Sequence, residues 1–335
     1  MDSYLGRKIK NDLINSYGVT VVPAGSVLNH EYIELLKKHK IDAIDMIFLS
    51  QAELEHLACG ETVDQLVDLS KEIFSSFRIS RKIPLLDIRT EVIPVVQQVS
   101  TNPDVFQMFD AIQGMDDYIH QHSIGVGILA TLIGRWMNMG ESDLAILSLA
   151  ATLHDVGNLK IPAEILNKPG KLTEAEFAVV KKHTIYGYEM LKETTGVSSR
   201  IALVALQHHE RNDGQGYPLG LKENKLDLFS KIVAVADVFH AMSSNRPYHA
   251  PIPFHIIVDQ MRRESFGALD PHIVSLFLEN IVNRTVGRNV VLTDGRVGQV
   301  VSLNLHDIET PLIKIDDEYI DLSKVSSLNI KEISI

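Results

Sequence analysis

The stretch HQHSIGVGILATLIGRWM, residues 120–137, places apolar side chains at spacings of three and four, a period that predicts a helix with a wide buried face. The same period returns in SDLAILSLAATLHD (142–155) and SRIALVALQHH (199–209), with breaks at Pro162, Pro169-Gly170 and Gly214 to Pro218. Outward from these segments, residues 85–284 read as an all-helical domain. Residues 1–84 alternate short β-like runs (Val19 to Val22, Ile41 to Ile47) with a helix begun by Asn29, so a small N-terminal α/β module is expected. Residues 285–335 carry the β runs NVVLT, VGQVVSLN, PLIKI and EYIDL between DG and DD turns, a small C-terminal β module. The fold class expected is therefore mainly α, with a minor module at each end.

Composition narrows the function. With 45% hydrophobic and 22% charged residues the chain reads as an ordinary folded protein, and no apolar run approaches the roughly 18 residues of a membrane span. The first residues lack the apolar core of a secretory signal, and the single cysteine, Cys59, excludes an internal disulfide framework; a cytoplasmic protein is expected. A net charge of −11 argues against a nucleic-acid polymer as partner, while a small anionic ligand held by metal ions or a local cationic pocket remains open.

Within the helical domain, His122, His154, Asp155, His183, His208, His209 and Asp237 stand at helix ends or between apolar positions, where a buried polar group is costly without partners. One histidine of this kind is ordinarily a hydrogen-bonded core or surface residue. Five imidazoles and two carboxylates without a thiolate form an N/O ligand set suited to iron, manganese, nickel or magnesium. Seven ligands are too many for one ion. Two ions bridged by a carboxylate and a water or hydroxide would use them all and leave positions for substrate. Ser123, Ser243 and Cys59 have no base and orienting group arranged for nucleophilic catalysis.

HDVGN (154–158), His183 in KKHTIYGYEML, HHERNDGQGYP (208–218) and VADVFHAMSSNRPY (235–248) stand in the order of the HD-GYP motifs, and residues 110–284 resemble that branch of the HD superfamily of phosphohydrolases. The resemblance implies hydrolysis of cyclic di-GMP at a multinuclear metal centre; for this ligand set two divalent ions are expected, with iron or manganese favoured over magnesium or nickel. It implies His122, His154, Asp155, His183, His208, His209 and Asp237 as ligands, with Asp155 the catalytic bridge. Gly214 and Gly216 would let the GYP loop approach the site, and Tyr217 and Pro218 would shape its wall. Arg246 matches a phosphate-contacting arginine, whose planar fork suits two phosphodiester oxygens. A diguanylate cyclase or other signalling protein docking through the GYP loop is an expected protein partner, and a homodimer is a further expectation.

Several positions depart from the family pattern. Asn158 stands where a lysine usually closes the HDxGK motif, and His249 where some members carry a basic residue; both are expected near substrate, with a weaker or pH-dependent grip on phosphate. His240 replaces an aspartate often present in the VxDxxDA segment. Tyr118, one helical turn before His122, stands where some members place a glutamate that recruits a third ion, so two metals and release of linear pGpG are expected. The competing expectations are a receptor or scaffold that binds the nucleotide with little turnover, and a phosphodiesterase for another cyclic dinucleotide.

Overall fold

The computed structural model describes residues 4–333 except 16, 18, 42–45, 76, 78–81, 114–117, 169, 245–251, 253, 265–266, 305–306 and 326. By internal contacts the chain divides into two compact units, Met1–Cys59 and Gly60–Ile335. Most described residues are helical, with small sheets near the two ends, as the periodicities predict.

In the first unit β1 (Leu13–Ile14) pairs antiparallel with β2 (Thr20–Val22). Helix α1 (His30–Lys38) begins where Asn29 Oδ1 accepts from the Tyr32 N–H at 2.8 Å, satisfying one of the orphan donors of its first turn. Ile33 and Leu36 on its inner face close a core with Ile9, Leu13, Val22 and Leu28. Much of the extended run expected over 41–47 lies outside the described residues. A helix that the reading of the sequence did not anticipate, α2 (Gln51–Ser75), follows. Its buried side chains Cys59, Val63, Leu66, Val67, Ser70 and Ile73 recur at helical spacing, so the stripe was present in the chain.

The second unit continues through α3 (Ile93–Val99), α4 (Val105–Gln113), α5 (Tyr118–Trp136), α6 (Glu141–Thr152), α7 (His183–Glu193), α8 (Ser199–Gln207), α9 (Leu228–Ser243), α10 (Phe254–Glu264) and α11 (Pro271–Asn283). Helix α5, carrying the stretch 120–136, packs against α6, α9 and α11. Phe239 and Phe277 meet edge to face at 4.9 Å between centroids in the core those helices share. Asp227 caps α9 by accepting from the Phe229 N–H, and Arg200 donates to both of its oxygens, tying α8 to the start of α9. The last strands form one antiparallel sheet in the order β6 (Glu318–Asp321), β5 (Asp307–Ile315), β4 (Val297–Asn304), β3 (Asn289–Leu292), β7 (Ile330–Ile333), with Val290, Leu292, Val300 and Ile313 buried on one face. An ion pair from Arg288 to Asp104 and the Arg288 guanidinium over Phe106 tie this sheet to α4. Among the described residues no helix is long and apolar enough to cross a membrane.

Candidate metal centre

The bundle brings all seven sequence-predicted ligands together. His122 sits on α5, His154 just past α6, and Asp155 at the start of a tight turn over Val156–Lys160. His183 opens α7, His208 and His209 follow α8, and Asp237 lies inside α9. Two groups result, Asp155 with His183, His208 and His209, and His122 with His154 and Asp237; within each, the ligand atoms lie within 4.8 Å of one another. The turn bearing Asp155 can lie flat on α7 because residue 157 is glycine: a Cβ there would fall 1.9 Å from the His183 carbonyl oxygen.

The protons on these rings are set by the backbone. Nδ1 of His154 lies 2.7 Å from the Ala151 carbonyl, Nδ1 of His183 2.7 Å from that of Val180, and Nδ1 of His208 3.1 Å from that of Val204. A carbonyl only accepts, so each Nδ1 donates and each neutral ring presents an Nε2 lone pair. All three lone pairs aim at Asp155: His183 Nε2 is 3.1 Å and His208 Nε2 3.5 Å from Oδ1, and His154 Nε2 is 3.7 Å from Oδ2. His183 and His208 also face each other, Nε2 to Nε2, at 3.3 Å. The short approach of His183 to Asp155 is therefore an electrostatic contact without a well-formed hydrogen bond in the neutral tautomer, and Asp155 Oδ1 and His154 Nε2 are buried with no hydrogen-bond partner. Acceptors converging on acceptors repel unless a cation lies between them, so the donor set fits divalent metal ions.

Electrostatics follow the same logic. Burial drives the His154 pKa down to about 4, so the ring is neutral and ligand-ready. Burial also takes His209 well below its ordinary value. Burial alone would raise the Asp155 and Asp237 carboxyls, but the surrounding imidazoles outweigh it and hold both well below the usual carboxylate range. For His183 burial opposes protonation, yet the Asp155 carboxylate prevails and the pKa is raised.

The two groups differ in depth. His122, His154 and Asp237 are buried, while Asp155 and His209 keep partly open side chains and form the accessible edge. Tyr217 stands over that edge, its ring 4.7 Å from His209, and burial raises its phenol pKa. The GYP loop reaches it by two devices. Gly214 takes the left-handed φ of +82°, and a Cβ on Gly216 would meet the Glu210 and Arg211 backbone at 2.4 Å. Asn158 lies beside the centre, its N–H donating to the Asp155 carbonyl at 2.9 Å and its Oδ1 buried without a partner. Arg246 and His249 lie outside the described residues, as does the Tyr118 side chain.

The sequence reading left four residues unassigned. His240 is buried against His122, Nδ1 to Nδ1 at 3.1 Å, and fits only because residue 125 is glycine. Glu210, the third residue of the HHE triplet, is buried and accepts from the Leu219 N–H at 2.7 Å and the Leu221 N–H at 2.9 Å, clamping the loop from inside. Phe74 and His120 line a cavity that reaches Asp155. For Glu210 the signal was a charge beside two ligand histidines; for His120 it was the alternate spacing to His122.

Residues 105–273 match the family model described as HD domain. A cyclic di-GMP phosphodiesterase of Pseudomonas aeruginosa is 31% identical over 267 residues, covering 79% of this chain and 63% of the relative. One of Thermotoga maritima is 38% identical over 180 residues, covering 52% and 49%. A 3'3'-cGAMP-specific phosphodiesterase of Vibrio cholerae is 36% identical over 160 residues, covering 48% and 35%. The chain thus spans less than two thirds of the length of each of these relatives. An HDG"Y"P protein from Bdellovibrio bacteriovorus shares the fold at 17% identity, with a TM-score of 0.53 over 84% of this chain and 97% of that one.

Proposed function

The chain belongs to the HD domain family, in its HD-GYP branch, and from that premise we propose that it is a metal-dependent phosphodiesterase that opens cyclic di-GMP, mainly to linear pGpG. The observation that carries the reading is the convergence of three Nε2 atoms on the Asp155 carboxylate, those of His183 and His208 on its unpartnered Oδ1 and that of His154 on Oδ2. Such an array is unfavourable in itself and useful only around cations. His183, His208, His209 and Asp155 would hold one ion, and His122, His154 and Asp237 the other, with Asp155 reaching toward both groups. Iron or manganese suits the donors, with magnesium or nickel as alternatives. Bound ions would supply a nucleophilic water at neutral pH and positive charge for the phosphorane's developing negative charge.

The protein's own part is positional. The backbone carbonyls of Ala151, Val180 and Val204 hold the imidazoles by their Nδ1–H groups. Tyr217 covers the open edge beside His209, and Arg246, by its place in the RPY motif, would grip a phosphate oxygen pair. The two-metal count rests on Tyr118 in place of a carboxylate, and release of pGpG on the absence of a third cation to hold the linear product. The composition and the single cysteine support a cytoplasmic enzyme. The resemblance to a 3'3'-cGAMP-specific enzyme favours one second reading, hydrolysis of a mixed cyclic dinucleotide by the same centre. Anaerobically purified full chain, analysed for metal and incubated with cyclic di-GMP and 3'3'-cGAMP, tests both readings. Two ions per chain and pGpG as the main product are expected; absence of linear product with Fe(II), Mn(II) and Mg(II) alike overturns the enzyme.

A further inference from the structure

A cavity of about 520 Å³ opens beside the metal centre and shares Asp155 with it. One wall comes from α2 and the segment just after it, through Phe74 and Phe77, which precede the stretch matching the family model. The opposite wall is formed by Ile119 and His120 of α5, and the floor by Val156, Asn158 and Leu159 of the turn that bears Asp155. Phe74 and the His120 ring stand 5.9 Å apart and tilted by 48°, so the slot has aromatic faces on two helices. Ser70 Oγ lies 3.4 Å from His120 Nδ1 and helps to hold that ring.

The chemistry of the lining selects its occupant. The cavity includes no lysine or arginine among its described lining residues. It offers instead aromatic and aliphatic faces with a few neutral polar groups, the pattern of a pocket for a flat, partly polar ring, and its volume falls within the range of small-molecule sites. Asn158 contributes a neutral carboxamide whose oxygen is buried without a partner, at a position where the family pattern places a phosphate-binding lysine. A carboxamide donates and accepts side by side, as the hydrogen-bonding edge of a purine does. A ligand whose phosphodiester lies at Asp155 would extend its adjoining nucleoside into this space.

We propose that the cavity is the subsite for one purine base of the substrate, with Phe74 as stacking platform and the Asn158 carboxamide reading the base edge. The proposal rests on the phosphodiesterase reading for the identity of that substrate, but not for the binding of a nucleoside. In this protein residue 158 has then passed from gripping phosphate to reading a base, and α2 takes part in substrate selection.

The test uses metal-loaded full chain with guanosine and adenosine, which have no phosphodiester to cleave, followed by titration NMR, alongside steady-state kinetics with cyclic di-GMP. Phe74→Leu keeps apolar volume and removes the ring; Ile119→Trp, at a partly exposed rim position, fills the mouth without disturbing the core. Each is expected to weaken nucleoside binding about tenfold and to raise KM more than it lowers kcat, with metal content and Tm unchanged. If Phe74→Leu lowers Tm, Ile119→Trp decides. Cleavage of cyclic di-GMP with nucleoside binding absent, or equal in wild type and both variants, overturns the cavity and leaves the enzyme standing. Nucleoside binding that both variants weaken, in a chain that cleaves no cyclic dinucleotide, sustains the cavity and overturns the enzyme.

Discussion

Nδ1 of His240 lies 3.1 Å from Nδ1 of His122, while Nε2 of His122 lies 3.0 Å from Asp237 Oδ1. If His122 donates to His240 through Nδ1, its Nε2 joins the other histidines in presenting a lone pair to the centre. His240 then serves as the outer acceptor that fixes the His122 ring, at a position where the family's VxDxxDA segment often carries an aspartate.

His240→Leu should therefore lower affinity for the ion held by His122, His154 and Asp237 by about 10- to 100-fold, the usual cost of losing the outer partner of a ligating histidine. His240→Asp should retain it. Gly125→Ala should resemble His240→Leu, because the added methyl would fall 2.0 Å from His240 Nε2. Competition with a chelator reads all three, and equal affinities in wild type and His240→Leu would show that the contact is packing alone.

Much of this centre was legible in the chain. His154 and Asp155 adjoin, His208 and His209 adjoin, and the helical period around them told which segments would bundle. Asn29 announced α1, and the runs after Arg284 correspond to the strands of the final sheet. What was not legible depends on contacts between distant positions. His122 and His240 lie 118 residues apart, and nothing local to either marks the pair. The stripe of α2 was readable by its spacing, but that Phe74 would face His120 follows only from the packing of α2 beside α5.

Glu210 gives a prediction about stability. Its two oxygens accept from Leu219 and Leu221 N–H groups inside the protein. Glu210→Ala leaves both donors without their charged acceptor and should cost about 2–3 kcal/mol, while Glu210→Gln, which keeps one acceptor, should cost less. Chemical denaturation gives the values. A loss in the alanine variant under about 0.5 kcal/mol, the level of an ordinary surface substitution, would mean that the loop is held by other contacts.

The buried histidines predict a pH dependence for the metal-free chain, and the signs oppose. For His154 the folded pKa is about 4, below the unfolded value of 6.5, so the unfolded state binds the proton first. Its contribution is present above pH 6.5 and is lost as pH falls toward 4, a change on the order of 3 kcal/mol from that ring. His183, raised above 6.5, contributes stability that is complete below 6.5 and is lost as pH rises through its folded pKa. Metal uptake must displace that proton. Calorimetry in buffers of different ionisation enthalpy should show proton release on metal binding near neutral pH, and His183→Ala should reduce it. Equal release in wild type and His183→Ala would place the displaced proton on another group.

Asp155 and Asp237 are both buried among imidazoles, yet their positions predict different losses. Asp155 directs Oδ1 at His183 and His208 and Oδ2 at His154, so its oxygens face members of both ligand groups. Asp237 directs Oδ1 at His122 and stands 3.6 Å from His209 through Oδ2, the longer of its two approaches. Asp155→Ala should therefore empty both groups, giving a metal content near zero and the loss of any stabilisation by added Mn(II) or Fe(II). Asp237→Ala should empty mainly the His122 and His154 group and keep about one ion on His183, His208, His209 and Asp155. Neither variant should hydrolyse cyclic di-GMP if, as proposed, both ions would be needed to activate water and offset the charge on the reacting phosphate. Elemental analysis separates them where activity cannot: an Asp155→Ala chain that still carries one tightly held ion would show that the carboxylate serves a single metal, and that the two groups are held independently.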